Sequence, residues 1–270
     1  MDSWKEKLDV FVNDFEYMND LIGILVCGSY ITGNPTNHSD LDVHMVLDNC
    51  VNYRERGNSV IGGLLIEYFA NPPRQIIKYF DDDMKDKSLM SQTQFATGEI
   101  ILDKNGDVRL LKEKALGMIE EFYADCNKIE PMSESTKYFM WDMLDDLQDA
   151  YENNRIDFDF LYYNLLNKVI SNYMVCIHKP YNFKTILGNI NDNIVRKKYL
   201  LRELPDKQIS DLISNCITIV NKSDKMKLFE KLVNSILHTY GDFNISEYKL
   251  KSDLDLWYIK DSVLMRLQTN

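Results

Sequence analysis

The sequence predicts an α+β protein: a mixed sheet flanked by helices, followed by an all-helical stretch. Three observations carry that expectation. Residues 22–27 form an apolar run ending at Gly28, the pattern of a strand buried on both faces. Residues 40–47, DLDVHMVL, begin with carboxylates at every second position, the period of a strand. Beyond residue 106 the spacing turns helical and stays so. The change of character falls near Asn127 to Pro131 and divides the chain into residues 1–128 and 129–270.

The elements follow in order. Trp4, Leu8, Phe11, Val12 and Phe15 recur at helical spacing over residues 3–19. The run 22–27 is a central strand. Gly33, Asn34 and Pro35 make 31–38 an irregular loop, and 40–47 is the second strand. A hairpin is expected to turn near Gly57-Asn58 and return through Gly62-Gly63 into a strand over 64–70. Pro72-Pro73 ends that strand and opens a helix through Phe80, since proline is tolerated in a first helical turn. Residues 99–104 form a short strand ending at the Asn105-Gly106 turn. Helices are expected over 107–127, 133–153, 157–178, 192–203, 207–221 and 223–240, with a last segment from Ser246.

At 270 residues, 45% hydrophobic and 11% aromatic, the composition is that of a globular protein with one large or two small domains. No apolar run approaches the roughly 20 residues that span a bilayer. The opening MDSWKEKLDVFVNDF reads as an amphipathic helix rather than a leader. Cys27, Cys50, Cys126, Cys176 and Cys216 lack metal-type spacing and read as free thiols, so a cytoplasmic protein without membrane contact is expected. Acidic residues outnumber basic ones 42 to 31, for a net charge of -11. With no lysine- or arginine-rich run, that balance argues against a nucleic-acid partner. An acidic surface steers cationic small molecules, and simple solubility is the other reading.

The chemistry concentrates in one segment. Gly28-Ser29 follows the first strand, where a tight turn can bring N–H groups and a hydroxyl to phosphate oxygens. Asp40 and Asp42 project from one face of the second strand and repel each other unless a cation lies between them. Glu67 stands in the apolar strand LLIEYFA, where an unpaired acid is costly to bury.

Cys27-Gly28-Ser29, Asp40-Leu41-Asp42-Val43 and Glu67 together resemble the signature of the DNA polymerase β type nucleotidyltransferases. That resemblance implies two Mg2+ ions held by Asp40, Asp42 and Glu67, with ATP phosphates at Gly28 and Ser29. It is motif-specific over about residues 20–105. The layout of a catalytic domain followed by a helical one is similar to the aminoglycoside and lincosamide nucleotidyltransferases. This implies AMP transfer from ATP to a hydroxyl of a small, cationic acceptor, with pyrophosphate released. Two alternatives stay open: adenylylation of a protein, as in toxin–antitoxin pairs, and a non-catalytic ATP sensor of the same fold. A homodimer is compatible with either.

The remaining candidates have competing readings. Asp142, Asp145, Asp146 and Asp149 crowd one face of a helix. They are either a solvated face or, by the resemblance, a source of the general base, with Asp142 and Asp146 the candidates. Glu67 is a further candidate for that proton. Lys184, in the proline-containing loop after residue 178, either reaches the nucleotide phosphates or lies on a surface turn. His44 is in phase with Asp40 and Asp42, as a ligand or a neighbouring donor. His178 and His238 read as structural, and Tyr162, Tyr163 and Tyr173 as core. Ser252-Asp253-Leu254-Asp255 repeats the Ser39 to Asp42 string. It lacks a serine after Gly241 and a later third acid, so it reads as a solvated or capping cluster.

Overall fold

The computed structural model describes residues 3–33, 35–125, 131–177, 179–181 and 186–251. Helix α1 (Trp4–Asn13) opens with a capping box between Ser3 and Glu6. It stops at Asp14, short of the expected residue 19. The chain turns there so that Phe15 packs on Phe11 and Tyr68, and Tyr17 on Tyr53.

Five strands form one mixed sheet in the order β3-β4-β2-β1-β5. They are β1 (Leu21–Cys27), β2 (Leu41–Leu47), β3 (Glu55–Ile61), β4 (Leu64–Asn71) and β5 (Glu99–Asp103). β2 and β4 pair in parallel, and the other pairings are antiparallel. Every residue of β1 is buried, as its unbroken apolar run requires of an interior strand covered on both faces. Leu41, Val43 and Met45 join Leu8, Phe11 and Phe15 in the core beneath α1. The opposite face, with Leu25, Cys27 and Val46, packs on Phe80, Phe95 and Val108. These come from α3 (Pro73–Lys85), α4 (Met90–Thr97) and α5 (Asp107–Asp125).

One local expectation is corrected. Gly57-Asn58 is not a turn: β3 runs through it, and the chain reverses at Gly62-Gly63, both with positive φ. Gly57 instead seats the Tyr68 ring, since a Cβ there would lie 2.6 Å from its Cζ. Helix α4 was not expected, having no amphipathic stripe to announce it. Its Gln92 is fully buried, and Nε2 donates to the Phe80 carbonyl at 2.7 Å.

The remaining helices are α6 (Glu134–Glu152), α7 (Phe158–Cys176), α8 (Ile186–Asn191), α9 (Asn193–Lys198), α10 (Lys207–Thr218) and α11 (Lys222–Thr239). All of these but α9 contribute to a separate core that includes Leu147, Val169, Tyr173, Ile213 and Phe229. The expected helix 192–203 is shorter, because α9 ends in a turn at Tyr199-Leu200. That turn lets Arg202 reach Glu120 of α5 at 2.8 Å and lie over the Tyr123 ring. Tyr162 and Tyr173 are core residues as expected, whereas Tyr163 is 45% exposed. Among the described residues, no helix is long and apolar enough to cross a membrane. Cys27, Cys50 and Cys216 are free thiols.

Candidate metal and phosphate site

Pairing places the acids. Asp42 lies opposite Glu67 in the parallel β2–β4 register, so the two side chains leave the same face of the sheet. Asp40 precedes β2 by one residue. Each of the three offers a carboxylate oxygen within 4.8 Å of the others. All three are partly buried. Burial first, then the charges of Asp40 and Asp42's strand partner Glu67, push the Asp42 carboxyl up to about 6. A carboxylate whose ionisation is opposed in this way gains from a nearby cation. The hard oxygen donors suit Mg2+, which takes one or two carboxylates and keeps several waters.

Gly28 makes this geometry accessible. Its φ of 73° and ψ of -157° lie in a region essentially reserved for glycine. A Cβ there would sit 2.1 Å from Asp42 Oδ2. Glycine is therefore required twice, for the backbone turn and for the approach of the carboxylate. Ser29 opens a single helical turn, α2 (Ser29–Thr32). The Gly28 carbonyl accepts from the Thr32 N–H at 3.0 Å and its hydroxyl at 2.9 Å. Behind the acids, the Cys27 thiol is raised by burial, Asp42 and Asp40, in that order, and stays protonated.

A cavity of about 640 Å³ opens from these residues. Gly28, Ser29, Asp40 and Asp42 form one end. Thr93, Gln94 and Thr97 of α4 line its side, and Tyr181, Ile186, Asn189 and Leu201 line the helical end. Its volume falls in the usual range of small-molecule sites. Glu67 approaches the acid cluster from the flank outside this cavity, where Arg56 Nε donates to its Oε1 at 3.0 Å. The Arg56 guanidinium also lies 5.0 Å from the centre of the Phe69 ring.

Of the histidines, His44 takes a supporting place. It is buried between Phe69 and Phe95, which holds it neutral, with its pKa lowered to about 4 against a weaker upward pull from Gln94. His238 is exposed and sits 2.9 Å from Asp242.

Asp142 and Asp146 lie on α6 and are not among the described residues lining the cavity. Asp142 instead accepts from the Tyr138 hydroxyl at 3.4 Å. Asp145, Asp146 and Asp149 are exposed, as on a solvated face. Lys184, His178 and the 252–256 string fall outside the described residues. Among the described residues, the lysine that lines the cavity is Lys198. Sequence reasoning missed Lys198, Arg56, Asn189 and the α4 wall. The hydroxyl and amide residues Thr93, Gln94 and Thr97, spaced along one helix face, were the available signal.

No protein-family model matches the chain, and no curated protein matches it. One solved structure similar to it is a nucleotidyltransferase-like protein from Exiguobacterium sibiricum 255-15. The TM-score is 0.44 at 8% identity, covering 88% of this chain and 75% of that one. That degree of likeness bears on neither substrate nor reaction, which rest on the residues above.

Proposed function

We propose that the chain is a Mg2+-dependent nucleotidyltransferase, moving AMP from ATP to an acceptor hydroxyl. The observation that carries the reading is the meeting of Asp40, Asp42 and Glu67 beside the Gly28-Ser29 turn, with Asp40 and Asp42 lining the cavity. In this proposal residues 1–128 supply the catalytic half and 129–270 the half that covers the nucleotide.

Asp40, Asp42 and Glu67 would hold the metal. Bound there, Mg2+ supplies charge stabilisation at the phosphates and acidifies the acceptor hydroxyl. The nucleotide occupies the cavity, with Ser29 and the Lys198 ammonium toward its phosphates. The acceptor enters from the Glu67 flank, opposite the cavity. Its oxygen attacks the α-phosphorus, the bond to the β-phosphate oxygen breaks, and pyrophosphate leaves. Glu67 takes the hydroxyl proton, a role its position favours over Asp142 or Asp146. Arg56 must first release it.

A small cationic acceptor of the aminoglycoside or lincosamide kind agrees with the net charge of -11. The test is pyrophosphate release with ATP, Mg2+ and a panel of such compounds. Asp40→Asn and Asp42→Asn should each lower turnover about 1000-fold or more, the scale of several kcal/mol of lost transition-state stabilisation. Undiminished turnover in either folded variant would overturn the metal assignment. Transfer of label from ATP to a protein, with none to the panel, would redirect the acceptor to a polypeptide.

A further inference from the structure

Residues 199–202 tie the helical end of the cavity to the other half of the molecule. After α9 the chain reverses, with the Leu201 N–H donating to the Arg196 carbonyl at 2.8 Å. That reversal puts Leu200 at a φ of 52°, a conformation leucine rarely adopts and one that persists only where its surroundings hold it. Three consecutive side chains supply the hold. Leu200 packs on the sheet-side core that includes Ile119, Phe122 and Tyr123. Leu201 lines the cavity and also a second one of about 420 Å³, so it is a wall shared by both. Arg202 reaches α5, pairing with Glu120 and lying 4.6 Å from the centre of the Tyr123 ring.

A second segment meets the same ring. Lys179 Nζ lies 4.9 Å from the centre of Tyr123, and the residues after it, Pro180 and Tyr181, line the cavity. Tyr123 is 2% exposed, so both cations face a ring shielded from water, where such contacts are strongest. The Arg202–Glu120 pair is by contrast open to solvent, at 47% and 75% exposure, and contributes little alone. Two stretches of the cavity's helical end, around Tyr181 and around Leu201, therefore converge on one side chain of α5. We propose that Tyr123 is a clasp that draws those walls over the bound molecule, coupling occupancy of the cavity to its closure. The identity of that molecule rests on the nucleotide reading above. A ligand touching Tyr181, Lys198, Tyr199 and Leu201 has greater affinity for the closed wall, and by reciprocity the clasp contributes to ligand affinity.

Calorimetry with ATP in Mg2+, alongside amide hydrogen exchange, tests this. In the wild-type chain ATP with Mg2+ should slow exchange at Tyr181 and at residues 199–202. Arg202→Ala should weaken ATP binding about 10-fold, the scale of ordinary coupling between sites, and speed exchange at 199–202 in the ligand-free chain. Arg202→Lys keeps a cation over the ring and should recover most of the loss, while Glu120→Gln should change affinity by at most a few-fold. Should Arg202→Ala fail to fold, Lys179→Ala tests the same ring from the other segment, with the same direction expected. Equal ATP affinity in the folded alanine variant and the wild type would overturn the clasp alone, as would ATP binding that leaves exchange at 199–202 unchanged. Absence of ATP binding by the wild-type chain would overturn the nucleotide reading and the clasp with it.

Discussion

The two ends of the cavity are unfinished in different ways. At the sheet end, three carboxylates are crowded by strand register, and ionisation of Asp42 is opposed by burial and by its neighbours. At the helical end Ile186 and Leu201 share the wall with Tyr181 and Lys198, and the imperfection is one hydrogen bond not made by buried Asn189. The first end is strained by charge, so it responds to cations and to pH. Among the described residues, the second end has no such crowding of like charges. A metal-bound polyphosphate would relieve the first of these and not the second.

The largest expected effect at the sheet end comes from Gly28→Ala. A side chain at this φ and ψ costs about 1–3 kcal/mol, and its Cβ displaces the Asp42 carboxylate. Denaturant unfolding should register the loss, and Mg2+ should no longer raise the melting temperature. An unchanged Mg2+ response would detach the glycine from the metal site.

Asp42→Asn should act on stability in the opposite direction. The folded pKa of Asp42 is about 6, above its usual 3.8, so the native state holds a proton that the unfolded chain has released between those values. Its contribution is therefore full below about pH 4 and is lost as pH rises through about 6. After allowance for solvent screening, Asp42→Asn should stabilise the metal-free chain at pH 7 by about 1–2 kcal/mol. The gain should vanish below pH 4. Equal melting curves for variant and wild type across that range would show that the acids are too well solvated to repel.

The smallest effect should come from Arg56→Ala. Arg56 would compete with a metal for Glu67 but is itself largely exposed, at 69%. An exposed ion pair contributes about 0–1 kcal/mol, so Mg2+ should half-saturate at a concentration a few-fold lower. Titration followed by intrinsic fluorescence would measure this. Weaker Mg2+ binding in the variant would instead make Arg56 a support for the Glu67 conformation.

The sheet end was legible in the sequence because its information is local. A strand alternates with period two, so Asp40, Asp42 and Glu67 declare their faces within a few residues, and Gly28-Ser29 marks the turn. The pairing that brings Glu67 beside Asp42 is long-range, and the sequence reached it only through the resemblance of its motifs, not from the local pattern. The helical end was not legible. Asn189 sits in a six-residue helix with too few turns to show periodicity. Gln92 is polar at a core position of α4, which hides that helix from a hydrophobic pattern. Gly57-Asn58 looks like a turn because the ring it accommodates, Tyr68, belongs to the neighbouring strand. Asp142 and Asp146 show the converse difficulty. Four acids on one face suggest a binding surface, and solvation accounts for them equally well.

The parallel register of β2 with β4 sets a rule for how this chain tolerates changes in length. Residues 48–54 join β2 to β3 outside any strand, and residues can be added or lost there without altering which side of the sheet Glu67 occupies. A single deletion among Leu64, Leu65 and Ile66 would invert every later side chain of β4 and send the carboxylate toward α1. Insertion scanning across 48–66 should thus divide sharply, with permissive positions in the connection and intolerant ones once the strand begins.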